Sequence, residues 1–525
     1  MHNHIQDTKR VAKNTLYLYG RSLLALIISL YTSRVILNIL GISDYGIYNA
    51  VGGMVAMFQI MSATFTSSTQ RFITFELGKK TNARSKEIFS SSLNIHILIA
   101  IIILIVMETA GVWFLNCKMN IPAGRMVAAN WVFQCSVATF IVNLISIPYN
   151  ASIIAHEKMG VFALISIYEV TSKLILVLLL RYVASDRLIL FAIFILAIAI
   201  SVRIIYGVYC KKRFQECKWE KTNCKETYKE MLAFSGWSFF GSCSSVLSTQ
   251  GLALLLNIFW GVIANAAKGI SLQVERAVTQ LVNNFMTSLN PLIIKSYSAG
   301  EYNYMMSLAE RGGKFSFYLM ALISLPIIFE TETILQLWLG KNIPEYTTTF
   351  IRLSLIYAIM QPFSNTMIVV MQATGKIKTF QLVIGWLQLL NFPAVYVLYK
   401  LGFSPEWMYY VIIANSVVCI FLRIRFVGKT LRISMKNYIN NVIIKSVAIV
   451  ACASLPLILI RSMLLDSIGT LLLTSLLSSM LILSLIYLIG LTQTEKLFFI
   501  EQIKKIRHKP VSYTHLRAHE TPEHL

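Results

Sequence analysis

Apolar runs of membrane-spanning length alternate with short polar links along almost the whole chain. A helix that crosses a bilayer needs about 20 predominantly apolar residues, and about fourteen stretches qualify. They lie near 15–40, 47–76, 88–115, 126–152, 160–182, 187–210, 231–259, 267–296, 312–338, 347–373, 378–400, 406–427, 440–462 and 468–491. The longest link between them, Lys211–Lys229, leaves no room for a separate folded domain. The pattern predicts an all-α polytopic membrane protein.

Two of the runs carry polar stripes. Gln59, Ser62, Thr66 and Thr69 recur at three- and four-residue steps, which places them on one helix face. Gln280, Asn283, Thr287 and Asn290 repeat the spacing in the eighth run. Upstream of each stripe stands a related segment, Asn38-Ile-Leu-Gly41 in one case and Asn257-Ile-Phe-Trp-Gly261 in the other. A short turn is expected after each glycine, at 43–46 and 263–266. The chain thus reads as a doubled unit: 1–215 as a lobe of six helices, 216–435 as a second, 436–495 as two further helices, and 496–525 as a tail. Small polar residues on a helix face commonly pack helix against helix in membranes. Matching stripes in corresponding halves also fit a cavity lined by both.

The net charge of +23 matters here through its placement. Lysine and arginine fall in alternate links, about 28 in one set and about 8 in the other, the positive-inside pattern. Both termini are therefore expected on the cytoplasmic side. With no soluble domain to carry a basic surface, nucleic acid is not an expected partner. Lys9, Arg10 and Lys13 precede the first run without a small-residue cleavage site, so that helix is expected to be a retained anchor. Cys210, Cys217 and Cys224 are too widely spaced, and too close to lysines, for a metal site. Pro510–Leu525 differs abruptly in composition, with His515, His519 and His524 close together. It resembles a vector-derived tail and is expected to be disordered.

Charges inside membrane helices cost about 3 kcal/mol at the centre and so usually face a polar interior. Glu169 and Lys173 stand four residues apart and can pair on one face, or the carboxyl can serve a proton relay. Glu275 and Arg276 are adjacent and point to different sides. Arg276 shares a side with Asn283 and Asn290, and its planar fork suits diphosphate or carboxylate oxygens. Glu76, Lys268 and Arg352 lie nearer helix ends. Pro148, Pro291, Pro326, Pro362, Pro393 and Pro456 interrupt helices and permit bending. Enzyme signatures are missing: there is no GxxxxGK(S/T) loop, HExxH or CxxC, and His96 and His156 stand alone. No cofactor or metal is expected.

Several segments together resemble a known family. They are LNILGISDYGIYNAVGGMVAMF, TQRFITFELGK, NPLIIKSYSAGE, KFSFYL, LQLWLG and ATGKIKTFQ. The most specific is Leu40-Gly41-Ile-Ser-Asp44-Tyr45-Gly46-Ile-Tyr48-Asn49. They look like the Wzx-type polysaccharide flippases, in the MOP superfamily that also holds MATE drug exporters and lipid II flippases. The resemblance covers essentially 10–500. It implies a MATE-like V of two six-helix lobes around an inner cavity. It also implies alternating access that carries undecaprenyl-diphosphate-linked oligosaccharide, of O-antigen or capsule type, across the bacterial inner membrane. Expected partners are that lipid-linked substrate, membrane lipid, a polysaccharide polymerase and glycosyltransferases. Such flippases have basic cavities, and Arg21, Arg34, Arg71 and Arg276 occupy the matching helices. Gln59, Thr66, Gln280, Asn283 and Asn290 would meet the glycan, and Glu169, Lys173 and Glu275 are candidates for coupling. Helices 440–462 and 468–491 correspond to a pair that forms a lipid-tail groove in lipid II members. The first helix lacks the acidic cation site of drug exporters; Asp44 falls in the expected turn instead. The rival expectations are a cation-coupled exporter of drugs or metabolites and a polytopic glycan polymerase or acyltransferase.

Overall fold

The computed structural model describes residues 2–497, except 57, 80–83, 118, 120, 184, 222–223, 341–342, 464–466 and 494. Residues 498–525, including the expected vector-derived tail, lie outside the described residues, as do the side chains of Arg34 and Gln59. Every regular element among the described residues is helical. In order these are α1 (His2–Ala56), α2 (Gln59–Gly78), α3 (Ser85–Val106), α4 (Val112–Cys117), α5 (Met126–Ala155), α6 (Met159–Leu179), α7 (Arg187–Arg213) and α8 (Lys225–Ser298). Then follow α9 (Tyr302–Phe329), α10 (Thr331–Leu339), α11 (Thr347–Thr374), α12 (Lys378–Leu389), α13 (Asn391–Lys400), α14 (Trp407–Leu431), α15 (Lys445–Met463) and α16 (Ile468–Leu485). Among the described residues eleven helical stretches are long and apolar enough to cross a membrane. The expected count of about fourteen also included both arms of α1 with α2, and the second arm of α8.

The two longest helices are each bent at one residue. Gly41 has φ 77°, ψ 171°, and Gly261 has φ 73°, ψ −167°. This backbone region is essentially closed to residues with a Cβ. The weak sequence repeat is therefore a repeat of geometry: the same glycine ends the first arm of α1 and of α8. The expected four-residue turns at 43–46 and 263–266 are corrected, because both segments are helical. One glycine redirects the chain, and helix resumes at the next residue.

Asp44 lies in the first turn of the second arm of α1, where it serves as an anchor. Arg125, before α5, donates through Nε to Asp44 at 2.9 Å and through Nη1 to Asp186 at 2.6 Å. Asp186 in turn caps α7 through the amides of Leu188 and Ile189. Partial burial would raise the Asp186 carboxyl, but the bonds from Arg125 and these amides outweigh it and hold the group below its ordinary range. A depressed folded value gives stability that is complete above the ordinary aspartate range, about 3.9, and is lost as pH falls through the lower folded value. The pair is partly buried but still reached by water, so its worth is about 1 kcal/mol at most. Melting temperature is expected to fall more steeply on acidification in the wild type than in Arg125→Gln. Parallel acid limbs in thermal unfolding would refute this.

Two hydrophobic cores organise the rest. One is built from residues between Ile47 and Phe234, with Ile377 added; the other from residues between Val278 and Ile449, with Val11 added. The two bundles meet mainly where α2 and α1 pack on α8. α15 and α16 pack against α9 of the second bundle. Buried ion pairs fasten them at both ends. Lys314 of α9 donates to Glu495 at 2.6 and 2.8 Å. Glu330, after α9, lies 3.1 Å from Arg461 Nε and accepts from Thr474 at 2.7 Å. Sequence pattern had placed Lys314 among the link charges; it lies in α9 and is buried.

Candidate functional site, a polar face between two bundles

The second arm of α8 presents a continuous polar stripe. Gln273, Arg276, Gln280 and Asn283 are exposed, and Thr287 and Asn290 are half-buried, all at steps of three or four residues. The opposite side of the same arm carries Val278, Val282, Met286 and Leu289 into the core of the second bundle. A polar stripe is poorly suited to a lipid-facing surface, where unsatisfied polar groups are costly. It fits a water-filled gap. Arg276 makes no ion pair or hydrogen bond among the described residues, so its donors are open to a ligand. Gln273 extends the stripe one turn before Arg276 and was missed in the sequence; the i, i+3, i+4 rule, extended backwards, finds it.

The gap has a floor. Ser22 Oγ accepts from Asn284 at 2.8 Å, and the Thr15 and Ser288 hydroxyls are 2.7 Å apart. Thr64 donates to Ser242 at 3.0 Å, and the Ser68 and Ser235 hydroxyls stand 2.7 Å apart. Hydroxyls on small residues let the helices approach closely. Nearer the basic links, Glu157 meets Lys295 at 2.7 Å and Arg10 at 2.6 Å. The described bonds between bundles all lie in the half toward the basic links. The molecule is therefore closed at that basic end, and its glycine bends are at the other.

The sequence candidates do not gather at one point. Arg71 is buried at the floor: Nε donates to Gln372 O at 2.9 Å and Nη2 to Ala373 O at 3.1 Å. These are the last carbonyls of α11, the negative end of its dipole. Its guanidinium also lies over Phe75 and Phe234, at 4.7 and 5.2 Å. It joins the bundles rather than offering donors to a cavity. Arg21 is half-buried over the Phe162 ring at 5.0 Å, with a long 3.5 Å contact to Ser166. Thr66 is half-buried and spends its hydroxyl on Ser62 O at 2.7 Å. The side chains of Arg34 and Gln59 lie outside the described residues.

The coupling candidates divide between the bundles. Glu169 senses the charges of Lys173 and Arg21, although Glu169 and Lys173 form no ion pair. Glu275 senses Arg276 and Lys268. Lys268 is buried and donates to Thr249 O at 3.1 Å, and Ser271 and Tyr409 share a 2.6 Å bond beside them. Arg423 of α14 is buried near Tyr357 and escaped notice in sequence because it borders a basic link. Among the described residues no group of three or more His, Cys, Asp or Glu could hold a metal.

Residues 11–266 match the family model described as polysaccharide biosynthesis protein. Over that stretch, just under half of its length, the chain is similar to that family. It is 20% identical over 324 residues to the uncharacterized membrane protein EpsK of Bacillus subtilis, a match spanning 61% of this chain and 63% of EpsK. The fold is MATE-like. A multidrug resistance MATE family transporter of the MOP superfamily in an outward-facing conformation superposes with a TM-score of 0.71 at 11% identity, covering 81% of this chain and 96% of that one. MATE in its straight conformation gives 0.70 at 12% identity, covering 81% and 96%. A MOP superfamily transporter from Pyrococcus furiosus, described by a reverse polarity of its binding pocket, gives 0.67 at 11%, covering 80% and 96%.

Proposed function

We propose that this chain is a polysaccharide exporter that flips undecaprenyl-diphosphate-linked oligosaccharide repeat units across the bacterial inner membrane by alternating access, and is not an enzyme. The observation that carries the reading is the open stripe of α8, with an unpartnered Arg276 among glutamines and asparagines, above a floor sealed at the basic end. Arg276 would hold the diphosphate by charge-assisted bonds, and Gln280, Asn283 and Asn290 would bond glycan hydroxyls. The prenyl tail would stay in membrane lipid. The basic end would face the cytoplasm, where glycosyltransferases make the substrate, and a polymerase would take the product outside. Export of an anionic group is favoured by an inside-negative potential at about 2.3 kcal/mol per charge per 100 mV. Glu169 with Lys173, and Glu275, are the proposed coupling groups.

In vesicles loaded with a fluorescent lipid-linked glycan, Arg276→Gln is expected to slow flipping by about tenfold to a hundredfold, the worth of a charge-assisted bond. Arg276→Glu is expected to abolish surface glycan while the protein still inserts. Normal glycan export by Arg276→Glu would sink the assignment, and raised drug resistance with unchanged glycan would favour a drug exporter.

A further inference from the structure

At the basic end, away from the stripe of α8, a cleft of about 350 Å³ opens between the start of α9, the helical turn that leads into α15, and the end of the helix that begins as α16. Ser307, Arg311 and Lys314 line it from α9, Asn441 from the turn, Lys445 from the first residue of α15, and Thr492 from just past the third element. Glu310 and Glu495 also face it, so three cations meet two carboxylates. Glu495 is engaged by Lys314, which it fixes in place. Arg311 is exposed and Lys445 half-buried, and neither makes an ion pair among the described residues.

The surroundings are apolar. Ile444 and Val447, on either side of Lys445, are 57% and 47% exposed, and Leu488 and Ile489, next to the cleft's Gly490, are 65% and 51% exposed. A basic cleft with neutral donors, where membrane helices end, and with bare aliphatic side chains beside it, matches an amphipathic anion. The charged part meets Arg311 and Lys445, whose guanidinium and ammonium suit phosphate oxygens, and the acyl chains cover the aliphatic side chains.

We propose that this cleft binds the phosphate headgroup of an anionic membrane phospholipid. The assignment is independent of what the α8 stripe carries. Native mass spectrometry of the purified full chain with added phosphatidylglycerol tests it. The double variant Arg311→Gln/Lys445→Gln, which alters only side chains without ion-pair partners, is expected to retain phosphatidylglycerol about tenfold more weakly than wild type. Arg276→Gln is expected to bind it as wild type does, phosphatidylcholine to be retained weakly by all three, and millimolar inorganic phosphate not to displace the lipid. Equal retention by wild type and double variant, equal retention of phosphatidylcholine, or displacement by free phosphate would each overturn the proposal. If the double variant fails to fold, Lys445→Glu alone gives the same comparison.

Discussion

Glu157→Gln is expected to unlatch the basic end and shift the molecule toward a form open there. Glu157 stands at φ 58° in the link between α5 and α6 and is 5% exposed. Its carboxylate meets Lys295 of the second bundle at 2.7 Å and Arg10 at 2.6 Å, and its carbonyl accepts from Asn14 at 3.1 Å. Removing one partner of a buried pair costs about 3–5 kcal/mol. Arg10 is half exposed and can turn to water, so the lower value of about 3 kcal/mol applies. A bias of that size changes a two-state ratio by about a hundredfold. The check is a cross-link between Thr15→Cys and Ser288→Cys, whose parent hydroxyls are 2.7 Å apart, in a background without the eight native cysteines. Cross-linking should become at least about tenfold slower with Glu157→Gln. An unchanged rate would show that hydroxyl pairs and Arg71 suffice to hold the floor.

The second large effect is expected at Glu330. Its carboxylate is fully buried between α9 and α10, facing Arg461 at 3.1 Å, Thr474 at 2.7 Å and Thr333 at 3.0 Å. Glu330→Ala strands Arg461 and the Thr333 hydroxyl, at a cost of about 3–5 kcal/mol. Because Arg461 and Thr474 belong to α15 and α16, the loss should be regional. Amide exchange should accelerate in α15 and α16 and stay unchanged in α2 and the second arm of α8. The double replacement Glu330→Leu/Arg461→Leu removes both charges together and is expected to regain most of the protection, since apolar side chains of similar volume replace a buried pair with little loss. Uniform acceleration throughout the chain, or a double variant as unstable as the single, would contradict a local staple.

Some of this was legible in the residues before any coordinates. Apolar length alone yields a helical membrane protein, because a backbone in hydrocarbon must satisfy its own hydrogen bonds. The repeat around Gly41 and Gly261 was visible because only glycine tolerates that backbone at low cost, so the demand is written in residue type. The stripe Arg276–Asn290 was visible because helix periodicity maps onto one face without help from the rest of the fold. Partner choice is different. Arg71 and Arg276 read alike in sequence, as arginines within helices. Tertiary packing sends Arg71 to the end of α11 and leaves Arg276 open, because which carbonyl lies within reach depends on residues about 300 positions away. Glu157, Lys314, Glu330 and Glu495 were equally opaque, since their worth lies in burial beside an opposite charge. The sequence by itself determined the helices, the glycines where the two longest change direction and the polar face; only the tertiary structure decided that helix resumes directly after those glycines, which charges seal the molecule and which remain free for a ligand.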